Sequence, residues 1–142
     1  MLVPDVNVLV DAWREHSSAH ARASNWLERA AAASELGLPD VIVSGAVRVL
    51  TMPVAGLCAD VSVVLDRVRD LRAAPGVRRV TPGPGHWAIF DALCRELGAS
   101  GNTVPNCYIA ALAIEKKATF VSRDRFFASV PGLDWTDLPD TA

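Results

Sequence analysis

The stretch that decides the fold is Gly101–Phe127, GNTVPNCYIAALAIEKKATFVSRDRFF, which reads as a loop, a buried helix and a strand that ends on a carboxylate. Pro105 suits the first turn of a helix. Ile109, Leu112 and Ala113 then recur at helical spacing, and Glu115, Lys116 and Lys117 close the last turn. Thr119-Phe120-Val121-Ser122 follows as a β-prone run that stops just before Asp124. In an open α/β sheet, ligands collect beyond the carboxyl ends of the strands, so a carboxylate just past such a run is placed for chemistry. A single Asp in a loop is more often merely solvated.

Toward the N-terminus, Met1-Leu2-Val3-Pro4 reads as a short strand in spite of Pro4, since a Pro is tolerated at an edge, a bulge or the first residue. Val8, Leu9, Ala12 and Trp13 make a helical stripe, so Asp5 and Asn7 stand at a strand-to-helix junction. That is the same kind of position as Asp124. Two such carboxylates in one small α/β domain strengthen the functional reading, because a parallel sheet brings its strand ends together. Asp11 lies inside the helix and reads as a solvated polar-face residue.

Between these ends, Ser17-Ser18 offers an N-cap for a helix over Ala19–Ala33, which Gly37 ends. Pro39 to Thr51 carries β-branched residues that favour strand and a 42, 46, 49, 50 spacing that favours helix; the helix reading is preferred. Val61, Val64, Leu65, Val68 and Leu71 mark another helix, stopped by Pro75-Gly76. Its polar face, Asp66, Arg67, Arg69 and Asp70, reads as solvated. Val77–Val80 is a short strand. Ile89, Phe90, Leu93 and Leu97 define a helix capped by Gly98, and Leu133-Asp134-Trp135 is a last short strand. The order predicts an α/β sandwich with a mainly parallel sheet.

Composition sets outer bounds. A chain of 142 residues, 51% apolar and 21% charged with formal charge −2, is long enough for one core and excludes both disorder and a wholesale nucleic-acid-binding surface. Any basic patch is local. Cys58, Cys94 and Cys107 lack metal-ligand spacing and read as reduced thiols of a cytoplasmic protein. Neither a signal peptide nor an apolar run of the roughly 18 residues needed for a membrane span is expected.

The combination DVNVLVDA at 5–12, GN-x-VP-x-x-x-x-AALAIE-x-x-ATFVS-x-D-x-x-F from Gly101 to Phe127, and PGLDW at 131–135 resembles the PIN-domain ribonucleases, specifically the VapC toxins of prokaryotic toxin–antitoxin pairs. The resemblance covers essentially the whole chain, residues 1–142, as a single PIN domain. It implies a PIN-like three-layer sandwich, a mainly parallel sheet flanked by helices, and a metal-dependent endonuclease acting on RNA. It also implies Mg²⁺ or Mn²⁺, a homodimer, and neutralisation by a small VapB-type antitoxin.

Carried over position by position, the family's acidic cluster matches at Asp5 and Asp124, and its flanking polar positions match at Asn7 and Ser122. The carboxylate expected in the late helix falls on Asn106. The acid expected after the Pro39 turn falls on or near Gly45, and Phe126 stands where many relatives carry an Asp. Glu115 cannot replace Asn106, because nine residues at about 100° each put it on the opposite helix face. The resemblance therefore makes Asp5, Asn106 and Asp124 the metal and catalytic set. Arg14, Arg48, Lys116, Arg123 and Arg125, close in sequence to these elements, are the candidates for binding RNA.

An amide oxygen gives a hard cation geometry without charge, so the chain as written is expected to be a poorly active or inactive form of the family's ribonuclease because of Asn106. Two other readings stay open. One is a non-catalytic PIN domain that binds antitoxin or RNA. The other, well behind, is a receiver-type phospho-acceptor, which needs a second acid beside Asp5 and a Lys directly after a later strand; neither arrangement is found.

Overall fold

The computed structural model describes residues 1–54 and 56–140. Strand β1 (Leu2–Pro4) leads into helices α1 (Val6–Trp13) and α2 (His20–Ala32). Then come β2 (Gly37–Pro39), α3 (Asp40–Leu50), α4 (Val61–Ala73), β3 (Arg78–Val80), α5 (His86–Leu97) and α6 (Thr103–Glu115). Strand β4 (Thr119–Val121), a 3-10 turn (Arg125–Ser129) and β5 (Asp134–Thr136) complete the chain. All strand pairs are parallel, in two ladders, β1-β4-β5 and β2-β3. A parallel bridge from Leu2 to Leu36 joins them, giving the order β3-β2-β1-β4-β5.

Pro4 explains why the sheet is split at that bridge. In a parallel strand, successive N–H groups face opposite neighbours. Leu2 N–H donates to Glu35 O at 2.7 Å on the β2 side, and Pro4, next on that side, has no N–H to give. On the other side Asp5 N–H continues the bonding to β4, reaching Val121 O at 2.8 Å. The Pro is thus tolerated in the middle of the sheet, at a strand's last residue, because it ends the ladder on one side only.

The sequence reading missed β2. Gly37 does not simply stop a helix. It is buried in a strand, where a Cβ would come within 2.6 Å of Met1 Sδ and 2.8 Å of Val80 Cγ2, so its residue type serves close packing. Helix α2 starts at His20, and its N-cap, Ala19, makes no side-chain cap bond. Ser17 is occupied elsewhere, as shown below.

Helix α6 is buried on every side, Ile109 to Ala113 without a break, as suits a helix packed between α5 and the sheet. In α4 only Val64 and Val68 of the expected stripe are fully buried, while Val61 and Leu65 are exposed along with Val63. Phe120 and Phe127, with ring centroids 4.7 Å apart, anchor the core under the carboxyl end of β4. No helix among the described residues is long and apolar enough to cross a membrane.

Candidate active site

Asp5 and Asp124 follow the ends of two paired strands, β1 and β4, so the sheet sets them side by side. Each also caps the turn after it. Asp5 Oδ1 accepts from Val6 N–H at 2.7 Å, and Asp124 Oδ1 accepts from Phe126 N–H at 2.9 Å.

Ser122 is the hub between them. Its hydroxyl donates to Asp5 Oδ2 at 2.6 Å and accepts from Asp124 N–H at 3.0 Å and Asn7 Nδ2 at 3.2 Å. One donor and two acceptor sites are thereby all used. Its own backbone is held by β5, with Ser122 N–H donating to Thr136 O and Trp135 Nε1 donating to Ser122 O, both at 3.1 Å. Asn7 Nδ2 also reaches Asp5 Oδ2 at 3.4 Å.

Asp5 is 8% exposed. Burial pushes its carboxyl above the ordinary range, the bonds from Ser122 and Val6 pull it back, and the nearby charge of Asp124 pushes it up again. Neither Asp5 nor Asp124 is in an ion pair with a cationic side chain among the described residues. Their negative charge is left uncompensated.

A cleft of about 320 Å³ opens over this cluster, lined by Asp5, Asn7, Val10, Asp11, Val49 and Arg123. Asp11, expected to be solvated, is instead 9% exposed and bound to the Arg123 guanidinium at 2.5 Å. The signal available in the sequence was its spacing from Asn7: four residues, about 40° around a helix, put both on one face. Of the other basic candidates, Arg14 is tied to the cleft wall through Val49 O at 3.5 Å, and the Arg125 guanidinium lies 5.9 Å from the Trp135 ring centroid. Arg48 lines a different groove, with Ser44, Val47 and Leu65. Lys116, 3.7 Å from Glu115, precedes β4 and so sits at the opposite end of that strand from Asp124.

Residues 2–133 match the PIN domain family. The chain belongs to that family. It is 40% identical over 137 residues to Ribonuclease VapC43 of Mycobacterium tuberculosis, covering 95% of this chain and 93% of the relative. VapC ribonuclease Mb2897 of Mycobacterium bovis matches to the same extent. Among solved structures the PIN domain is similar in fold to VapBC2 of Rickettsia felis bound to a DNA fragment from its promoter. The TM-score is 0.74 at 16% identity, over 97% of this chain and 98% of the other.

Within this PIN domain, the positions that depart from the expected acidic set have distinct surroundings. At Gly45 a Cβ would meet Val6 Cγ2 at 2.8 Å, so α3 approaches the first residue of α1 too closely for a carboxylate side chain without a shift of Val6. Phe126 packs edge-on against Phe127, with centroids 5.3 Å apart. Asn106 is half-buried in the first turns of α6, and its side chain makes no hydrogen bond among the described residues. Glu115 is engaged elsewhere, accepting from Gly83 N–H at 2.7 Å and Gly85 N–H at 2.8 Å at the entry to α5. Among the described residues no three His, Cys, Asp or Glu side chains gather as a metal-holding group.

Proposed function

We propose that this PIN domain is a toxin-type endoribonuclease that uses Mg²⁺ or Mn²⁺ to hydrolyse RNA phosphodiester bonds, with Asp5, Asp124 and Asn106 as the set that holds the ion. The observation that carries this reading is the buried Asp5 carboxylate, joined to Asp124 through Ser122 and left without a cationic partner among the described residues. Two uncompensated carboxylates and an amide oxygen are hard donors of the kind these ions take. When bound, the ion acidifies a water and offsets the charge that builds on the phosphoryl oxygens.

The chain's own residues do the rest. Ser122 and Asn7 fix the Asp5 carboxylate, so no reorganisation is needed as the substrate arrives. Arg123 and Arg14, at the cleft, are suited to backbone phosphates, and Arg125 is one residue beyond Asp124. Arg48 and Lys116 lie in other surroundings and are assigned at most long-range attraction. The test is purified protein on total RNA with Mg²⁺, with and without chelator. Cleavage that is lost with chelator and with Asp5→Ala supports the reading; cleavage indifferent to both overturns it.

A second reading, a PIN domain that binds antitoxin or RNA without cutting, is favoured by one feature, the neutral amide at position 106. It predicts partner binding with no cleavage under any metal. In either case a VapB-type antitoxin is the proposed partner. Support comes from the relatives solved as toxin–antitoxin assemblies, among them one from Klebsiella pneumoniae, and from the apolar residues that α4 exposes. A homodimer is proposed as well, supported by Trp87, 67% exposed beside Phe90.

A further inference from the structure

We propose that Asp11 is a positioning residue for RNA, holding the Arg123 guanidinium at the Asp5 cleft so that its remaining N–H groups meet a backbone phosphate of the substrate. The inference rests on the reading of the domain as RNA-directed. It goes beyond that reading in giving a role to a carboxylate that belongs to neither the metal set nor the expected RNA contacts.

Helix α1 grips Arg123 twice. From one face of the helix, Asn7 Oδ1 accepts from Arg123 N–H at 3.3 Å and Asp11 Oδ2 accepts from Arg123 Nη1 at 2.5 Å. The Asp11 carboxylate is itself fixed, because its other oxygen accepts from Ser17 Oγ at 2.6 Å, and Ser17 Oγ in turn accepts from Ala19 N–H at 3.2 Å. Ser17 supports the turn that leads into α2 while its hydroxyl proton goes to Asp11. A chain of bonds thus runs from the α1–α2 connection to the guanidinium.

Stability alone is a weak reason for such a pair. A partly buried ion pair of this kind, with the Asp11 side chain 12% exposed, adds little net stability, so its value lies in geometry. The geometry here is specific. A guanidinium carries five N–H donors in a rigid fork, and among the described residues Arg123 uses only Nη1 in a side-chain bond, while its side chain stays 40% exposed. The residue is adjacent to Asp124 and lines the same cleft as Asp5. Asp11 cancels much of the long-range charge of Arg123, so what it adds is orientation: a pre-set planar fork for a phosphate.

The experiment is binding of a labelled single-stranded RNA oligonucleotide, followed by anisotropy in chelator so that no cleavage depletes the probe, over a range of salt. Arg123→Ala is expected to bind about tenfold more weakly, with a salt slope smaller by about 0.7, one phosphate contact on a single strand. Asp11→Asn should bind roughly fivefold more weakly because the orientation is lost, with a slope no smaller than the parent's, since the cation remains and the carboxylate that masked it is gone. The double variant should match Arg123→Ala. A purely structural Asp11 would lower Tm in both backgrounds and leave RNA affinity alone.

Asp11→Asn binding as tightly as the parent, or more tightly, overturns the inference while leaving the RNA reading intact. No RNA binding by the parent, or unchanged binding by Arg123→Ala, overturns the Arg123 contact and this inference with it. If Asp11→Asn does not fold, Ser17→Ala decides. About twofold weaker binding is expected there, since only one hydrogen bond of the chain is removed, and no change overturns the proposal.

Discussion

Two Pro-Asp steps occupy matching places at the carboxyl ends of neighbouring strands: Pro4-Asp5 between β1 and α1, and Pro39-Asp40 between β2 and α3. Their local grammar is the same and their tertiary partners are opposite. Asp5 is buried among neutral donors with a second carboxylate nearby, and burial raises its pKa. Asp40 has a side chain 52% exposed and is clasped by Arg72 at 2.5 Å and, even more closely, by Arg79. Hydrogen bonds from Arg79 and then Arg72 hold its carboxyl below the ordinary range. A strand-end carboxylate is therefore placed by the fold, but whether its charge is free for a cation depends on residues far away in the chain. At Asp40 the charge is consumed in tying α3 to α4 and β3.

The sharpest way to test that division is to add charge on the Asp5 side. Val104-Pro105-Asn106 carries an amide after its Pro, and Asn106→Asp supplies the carboxylate that the resemblance expects there. Mg²⁺ affinity and cleavage of total RNA should each rise by about tenfold or more, since another hard anionic ligand strengthens the ion's hold and its water activation. Fold and Tm should change little. Equal metal affinity and equal cleavage in both proteins would show that residue 106 is not a ligand position.

Removing charge is the converse. In the Asn106→Asp background, Asp5→Asn should abolish cleavage and yet raise Tm at pH 7 by roughly 2–5 °C, because an ionised buried carboxylate opposes folding. The sign follows from linkage. A folded pKa above the ordinary 3.8 means the folded state holds the proton more tightly, so stability declines as pH rises from 3.8 through the folded value and stays reduced at neutral pH. Asp5→Asn should flatten that decline; a lower Tm with the decline intact would break the account. A smaller effect is expected from Ser122→Ala. It removes a bond that favours the charged form of Asp5, so the acid limb of the pH–rate profile should move to higher pH.

How much of this was readable in the chain depends on the range of the interaction. The strand-end places of Asp5 and Asp124 were legible because strand periodicity and a following turn are local signals, and Asn7 and Ser122 were named through the family's flanking positions. Strand β2 was missed because three residues ending in Pro39 carry almost no period, and Gly37 resembles a helix terminator. Its true reason is contact with Met1 and Val80, which no local pattern reports. Asp11 was misread because its partner, Arg123, lies 112 residues away, and only the shared face with Asn7 hinted at a common task. Val61 and Leu65 looked like core because periodicity marks an apolar face without telling whether the chain itself covers it.

The smallest expected effect completes the comparison. Asp40→Asn should leave RNA cleavage unchanged, since Asp40 contacts Arg72 and Arg79 and none of the residues around Asp5. Exposed ion pairs contribute little, so Tm at pH 7 should fall by only about 1–3 °C. The pH dependence carries the argument. A folded pKa below 3.8 means that the contribution of Asp40 is present above that value and is lost as pH falls through the folded one. Made in the same Asn106→Asp background, the two variants should therefore bracket that parent at neutral pH, Asp5→Asn above it and Asp40→Asn below. As pH falls toward 3 the Asp5 difference should close, because that carboxyl takes up its proton in both states, whereas the Asp40 difference should only narrow, because its folded pKa lies below 3.8. Melting curves for the three proteins from pH 7 down to about pH 3 would decide it. Should Asp40→Asn also lie above the parent at pH 7, its two arginines do not compensate the charge, and the contrast between the two strand ends fails.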